Sequence, residues 1–471
     1  MFSMCDFEER DADADNDLFE TSYHDRAIYE KQQREGKKSV MKKVKVGLLG
    51  IGNVATGTYK TLQLNKEKIK ESTGVDIEIT KILNRRPNVD RGIDVDPSIY
   101  VQDVDLVLND DDIDIVVELI GGIEPATEYM ARALKNGKHV VTANKAAIAA
   151  NGPELQKLAQ ENNVMLRFEA SVAGGIPIIN ALTTALLSNE FDEILGIVNG
   201  TTNYILTQMS DNGSDYDAVL KDAQEKGFAE RDPSGDVEGH DVANKLSILI
   251  SLIFGVRIKP EDIPTQGITA INKEDISYAN QFGCRIKLIA AAKKTDGKLE
   301  CNVQPAFVPA DHPLASVSNE FNAIFVKGNA VDDVMFYGKG AGPLPTGSAV
   351  MGDIIEIARA IDKGSAFDMR PLLRYDADLE FAGEGSNKYY VRLTAANEPG
   401  VLGKISTILG SYSIGIESMV QRPESKAKNE DKLPLMFIFY KTDRKNLDAA
   451  LAELEKTDAV ESIDSVIRVE A

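Results

Sequence analysis

Asp241 and Lys245 stand four residues apart in "EGHDVANKLSILISLIFG" (238–255), a spacing that puts both on one face of a helix. The apolar run that follows at once sets this helix against a core. A lysine there is partly desolvated, which moves its pKa toward a value useful for proton transfer. The plain alternative is a surface ion pair, which contributes little. Just upstream, "KGFAERDPSGDV" (226–237) adds Glu230, Asp232 and Asp236. With Asp241 they form a carboxylate cluster that could hold a substrate ammonium or only decorate a loop. The four histidines (His24, His139, His240, His312) are scattered, so acid–base chemistry falls to Lys, Asp and Glu.

A second stretch with chemical content is "VKVGLLGIGNVATG" (44–57). A Val/Leu run feeds a G-x-G-x-x-A turn, which reads as strand, tight loop and helix. Gly50 permits the turn and Gly52 lets the backbone approach a pyrophosphate, while Ala55 replaces the third glycine that packs helix on strand. Asn53 and Val54 open the helix, whose free N–H groups and dipole attract phosphate. At the end of the next strand an NAD enzyme carries an acidic residue. Here Asn84-Arg85-Arg86 stand instead, and two arginines suit a 2′-phosphate, so NADP is expected, with NAD possible. "VVTANKAAIA" (140–149) places Thr142, Asn144 and Lys145 where ligands of open parallel sheets gather.

The elements that must position these residues follow a readable order. Residues 1–40 are acidic and without apolar period, and are expected to be disordered. From 44 to about 145 strands and helices alternate: strands at 44–50, 75–83, 113–122 and 137–145, helices at 53–71 and 125–136. That alternation means a parallel sheet with crossover helices. A helix at 152–163 leads through "VMLRFEASVAGG" into a middle part of mixed helices and strands, with an internal helix over 241–255. A Gly/Pro turn and helix span 337–361. After the break "FAGEGSN" (381–387), the tail reads strand 388–395, helix 398–410, strands 413–421 and 433–441, helix 445–456, strand 460–469. This βαββαβ order is the ferredoxin-like plan. Asn397 is expected to cap the first tail helix.

Composition sets outer bounds. The 471 residues suffice for about three domains, and a net charge of −21 argues against non-specific nucleic-acid binding. No apolar run is long enough for a transmembrane helix. Three scattered cysteines, with no C-x-x-C pair, fit a cytoplasmic protein.

Taken together, "GLLGIGNVATG", "VTANK", "FEASVAGGIPII", "NGTTNYIL", "GFAERDPSGDVEGHDVANKLSIL" and "GKGAGPLPTGSAVMGD" resemble homoserine dehydrogenase over residues 44 to 365. The tail resembles an ACT domain, an amino-acid-sensing module. The resemblance implies an α/β fold: a Rossmann-type nucleotide domain (41–168), an α+β catalytic and dimerisation domain (169–380), whose late helix can return to the first domain, and an ACT domain (387–471). It implies Lys245 as proton donor, with Lys145 between nicotinamide and substrate. Glu230, Asp236 and Asp241 would surround homoserine. Gly227, Gly340 and Gly342 would join Gly50, Gly52, Asn53, Val54, Arg85, Arg86, Thr142 and Lys145 at the cofactor. Glu169 and the carbonyls of Val172, Gly174 and Ile176 would hold a monovalent cation, sodium. The ACT turn at Asn397 and Gly400 would take an amino-acid effector, threonine. A homodimer or homotetramer is expected. Two other readings are an oxidoreductase of the Gfo/Idh type, which "DIDIVVELIGGIEPATEYMARALKNGKHVV" also resembles, and a non-catalytic amino-acid sensor.

Overall fold

The computed structural model describes residues 41–85, 91–364, 372–383, 385–421 and 432–470. The acidic stretch 1–40 and Arg86 lie outside the described residues. The first domain alternates β1 (Lys42–Leu49), α1 (Asn53–Thr73), β2 (Val75–Leu83), β3 (Tyr100–Val101), β4 (Ile115–Glu118), α2 (Ala126–Lys135), β5 (His139–Thr142), α3 (Lys145–Glu161) and β6 (Leu166–Arg167). All pairs are parallel, in the order β3-β2-β1-β4-β5-β6. Both faces of such a sheet are covered, which is why its central strands β1, β4 and β5 carry apolar runs; Val46, Leu48, Val116 and Val141 have no exposed surface.

Helix α3 begins at Lys145, not near Gly152 as the sequence suggests. The Asn144 side chain accepts from the Ala147 N–H at 3.1 Å and caps an alanine-rich first turn. Pro153 therefore sits inside the helix.

The middle part contributes β7 (Phe191–Ile197), α4 (Gly200–Asn212), α5 (Tyr216–Glu225), α6 (His240–Phe254), α7 (Lys273–Gln281), β8 (Cys284–Thr295), β9 (Lys298–Pro309), β10 (Phe321–Gly328), β11 (Asp332–Lys339), α8 (Pro343–Lys363) and β12 (Glu380–Gly383). Helix α8 leaves this part and packs on α1. A Cβ on Gly57 would lie 1.7 Å from the Pro343 carbonyl oxygen, and one on Gly347 would lie 2.4 Å from the Gly57 carbonyl carbon. The two backbones touch through this glycine pair, and Val350, Met351, Ile354 and Ile357 of α8 join the core beneath β1 and β2. The close approach belongs to Gly57, two residues beyond the Ala55 of the sequence motif.

The tail forms β13 (Ser386–Ala396), α9 (Val401–Ser411), β14 (Ile416–Gln421), β15 (Lys432–Asp443), α10 (Arg444–Leu454) and β16 (Val460–Val469), in the antiparallel order β16-β13-β15-β14. Gly400, in the left-handed region at φ +95°, occupies the N-cap of α9, and Asn397 lies three residues earlier in the exposed turn. The tail is not detached behind its Gly/Ser break. β16 pairs in parallel with β9 (Arg468 with Ala306, Val469 with Phe307), so the middle and tail strands make one ten-stranded sheet. Tyr390 stacks on Phe307 at 4.6 Å, and buried Arg392 pairs with buried Asp275 of α7 at 3.1 Å.

Candidate active site

The first wall of the site is the carboxyl edge of the parallel sheet. Gly50 takes φ +107°, which only glycine adopts without strain, and a Cβ there would also press on the Leu119 carbonyl at 3.1 Å. Gly52 is the N-cap of α1, and nothing lies within 4 Å of where its Cβ would be. The helix therefore offers a bare amino end, with exposed Asn53 and part-exposed Val54 beside it and no acidic residue in its first turn. These features fit the pyrophosphate of a dinucleotide. At the end of β2, exposed Arg85 donates to the Tyr129 hydroxyl at 3.2 Å.

Glu118, which the motifs did not single out, organises the next two strand ends. One carboxylate oxygen accepts from the Ile120 and Gly121 N–H groups and the other from the Thr142 hydroxyl at 2.7 Å. Thr142 is wholly buried, and its oxygen also accepts from the Asn144 N–H at 3.0 Å. Its side chain shapes the turn from within rather than lining the surface where a cofactor was expected to meet it. Asn144 ties this turn to the Gly122 carbonyl at 2.6 Å. The result is Lys145 at the first position of α3, aimed at the middle domain.

The second wall is α6. Gly239, at φ +88°, caps it, Asp241 lies in its first turn and Lys245 one turn on. The i,i+4 spacing brings Lys245 Nζ to 2.7 Å from Asp241 Oδ2, and the same nitrogen donates to the Val198 carbonyl at 2.7 Å. Lys145 Nζ lies 2.6 Å from the other oxygen, Asp241 Oδ1. One carboxylate thus bridges two ammoniums from two domains. Asp241 and Lys245 are both about nine-tenths buried, whereas Lys145 is 40% exposed. Burial alone would raise the Asp241 carboxyl, but the two lysines hold it well below the ordinary range. Burial lowers the Lys245 ammonium against the pull of Asp241. Lys145 is raised: burial opposes its charge, and Asp241 more than compensates. A buried amine with a depressed pKa beside a fixed anion can pass a proton.

Asn199, at the start of α4, links this pair to Asp236. Its Nδ2 donates to Asp236 Oδ1 at 2.7 Å and to Asp241 Oδ2 at 2.8 Å. Glu230 stays exposed, close enough for its charge to act on Lys145. Asp232 is spent on the Ser234 N–H at 3.2 Å and pairs with no lysine among the described residues. Gly227 is exposed at φ +76°.

Gly340 and Gly342 sit beside the turn that follows Glu169. A Cβ on Gly174 would lie 2.3 Å from the Gly340 carbonyl oxygen, and the Gly175 N–H donates to the Lys339 carbonyl. The Glu169 carboxylate accepts from the Ile179 and Asn180 N–H groups at 2.8 and 2.7 Å. Burial pushes its carboxyl up to about 7, and burial likewise raises Asp353, which accepts from the Glu169 N–H, well above the ordinary carboxylate range. No lysine or arginine among the described residues pairs with Glu169. Two cavities of about 630 and 640 Å³ flank Glu169 and Asp353. Neither is lined by Lys245, so these two cavities are not where the acid–base pair sits.

Three parts of the chain match protein families: residues 50–169 a homoserine dehydrogenase NAD-binding domain, 177–355 homoserine dehydrogenase, and 389–459 the ACT domain. The homoserine dehydrogenase of Bacillus subtilis is 38% identical over 431 residues, covering 91% of this chain and 99% of that protein. The chain belongs to the homoserine dehydrogenase family. It is an oxidoreductase with a nicotinamide-nucleotide domain. A homoserine dehydrogenase crystal structure from Thiobacillus denitrificans superposes with a TM-score of 0.85 at 40% identity, covering 91% of this chain and 99% of its own. A hyperthermophilic archaeal homoserine dehydrogenase, solved in complex with NADPH, has a TM-score of 0.56 at 28% identity, covering 67% of this chain and 97% of its own. The matches span nucleotide and catalytic parts alike, which sets aside the Gfo/Idh-type and sensor-only readings. Among the described residues no helix is long and apolar enough to cross a membrane.

Proposed function

We propose that Lys245 is the proton donor in the reduction of L-aspartate 4-semialdehyde to L-homoserine and, in reverse, the acceptor. The observation that carries this is the double anchoring of its Nζ, 2.7 Å from both Asp241 and the Val198 carbonyl, in a site where burial depresses its pKa. When bound, the reduced nicotinamide supplies the hydride. The chain's own part is placement and charge. Lys245 gives its proton to the oxygen on which charge develops. Lys145 adds a second positive charge across Asp241. Asp236, with Glu230 at the rim, holds the substrate ammonium.

Gly50, Gly52 and the open amino end of α1 suit the pyrophosphate, with Gly227, Gly340 and Gly342 closing around the nucleotide. Arg85 supports a preference for NADP over NAD. A monovalent cation, sodium, fits at Glu169 with the Val172, Gly174 and Ile176 carbonyls. The buried Glu169 carboxylate has no side-chain cation against it among the described residues, and hard oxygens suit such an ion. The ACT turn at Asn397 and Gly400 is read as the site of an amino-acid effector, threonine. The enzyme is read as a cytoplasmic homodimer or homotetramer; Cys284 and Cys301 are buried and unpaired.

The test is NADPH oxidation by the full chain with aspartate semialdehyde. Lys245→Ala should lower kcat by about 10²-fold or more while NADPH binding, followed by fluorescence, changes little. Turnover within about threefold of wild type would remove Lys245 from proton transfer.

A further inference from the structure

Between β7 and α4 the chain passes Val198 and Asn199. Asn199 is 5% exposed, and its amide uses every hydrogen-bonding capacity it has. The Oδ1 accepts from the Thr202 N–H at 2.8 Å and the Thr202 hydroxyl at 3.0 Å, capping α4. The two Nδ2 hydrogens go to two different carboxylates, Asp236 and Asp241. The cap fixes which end of the amide faces inward, so donors alone meet the acidic pair. Asp236 has no other side-chain hydrogen bond among the described residues. It comes from the loop before α6, Asp241 from α6, and Asn199 from a separate strand end, so the amide joins elements that approach only in the folded chain.

Resting on the reading of Lys245 as proton donor, we propose that Asn199 is a positioning residue of this site, holding Asp241 between the two lysines and keeping Asp236 ionised for the substrate ammonium. Asp241 must offer Oδ2 to Lys245 and Oδ1 to Lys145 at once. A donor on Oδ2, beside Lys245, keeps the carboxylate from turning. Asp236 faces Asp241, Lys245 and Lys145, with Glu230 at the rim. Burial and the Asp241 charge push the Asp236 carboxyl up, while the Asn199 donor and the lysines work against them. Without the amide, Asp236 takes up a proton at higher pH, and the loss should appear mainly in homoserine KM on the acid side.

The first variant is Asn199→Ser in the full chain. Serine is as good an N-cap as asparagine but is too short to reach both carboxylates. Homoserine KM should rise by about tenfold or more at the acid end of the enzyme's working range, with the gap to wild type narrowing as pH rises, as loss of the two charge-assisted hydrogen bonds from the amide implies. Thermal stability and the NADPH dissociation constant should stay close to wild type. Asn199→Asp, isosteric but acceptor-only when ionised, should be worse at every pH. A KM raised by the same factor across the pH range in Asn199→Ser would make the residue a mere cap and overturn the proposal. So would full activity in Asn199→Asp. If wild type itself fails to oxidise homoserine, it is the underlying reading of the site that falls.

Discussion

Substituting Gly57 and Gly52 one at a time separates packing from cofactor contact within a single turn and helix. Gly57→Ala places a methyl carbon 1.7 Å from the Pro343 carbonyl oxygen, where a relaxed contact needs about 3.5 Å. Helix α8 must then back off by about 1.8 Å, and a backbone carbonyl cannot swing aside as a flexible side chain could. Alanine in a helix returns up to about 1 kcal/mol. Overpacking costs ~1–3 kcal/mol, with backbone clashes at the upper end, so the clash wins. The net loss of about 2 kcal/mol should lower the unfolding temperature of the nucleotide domain by roughly 4–8 °C at ~2–4 °C per kcal/mol. Gly52→Ala is the opposite case. Its φ of −83° suits any residue and nothing stands within 4 Å of the new methyl. Stability should not change, yet NADPH affinity should fall by about tenfold or more, because the methyl occupies the approach to the pyrophosphate. Calorimetry and NADPH fluorescence titration read the two effects. Unchanged melting in Gly57→Ala would refute the packing argument, and undiminished NADPH binding in Gly52→Ala would refute the placement of the phosphates.

Further outcomes follow from other parts of the molecule. His139 is buried, accepts from the Met165 N–H at 3.0 Å and has its pKa pushed down to about 4 by burial and by Arg167. The unfolded chain therefore binds a proton that the folded chain refuses between about pH 6.5 and 4. Stability is lost as pH falls through that window, by up to about 3 kcal/mol; His139→Gln should flatten the acid side of a denaturation-against-pH profile, and an unaltered profile would show that this histidine is not responsible. Arg85→Ala should weaken NADP binding by about tenfold and NAD binding little, since only the former offers a 2′-phosphate for charge-assisted bonds; equal losses would make Arg85 a surface residue. Ending the chain near Glu384 should aggregate it or lower its stability by about 3 kcal/mol or more, because Asp275 loses Arg392 and Phe307 loses Tyr390. Threonine inhibition is accordingly measured on the full chain: it should be present in wild type and weaker in Asn397→Ala, and equal inhibition in both would take that turn out of the effector site.

The sequence by itself determined the local parts. Apolar runs ending in glycine announce β1 and β4, because a strand buried on both faces has little room for polar residues, whereas β2 shows itself by alternation, with Val75, Ile77 and Ile79 buried and Glu78 exposed between them. The i,i+4 spacing of Asp241 and Lys245, ahead of an apolar stretch, foretold their contact at 2.7 Å, because a helix fixes that neighbour relation whatever surrounds it. The βαββαβ order of the tail was legible for the same reason. What lay beyond one or two elements was decided by tertiary structure. Lys145 meets Asp241 across 96 positions of sequence, and no local rule reports such an approach. Asn199 could have been read as a helix cap, but its second task depends on where α6 lands. Glu118 fell inside the strand expected over 113–122; it ends that strand and holds two turns. The glycine pair 57 and 347 has meaning only because α8 returns to α1. The tail read as detached because its break is Gly-rich; in the fold the open edges of β9 and β16 satisfy each other, since backbone N–H and C=O groups at a buried edge must find partners.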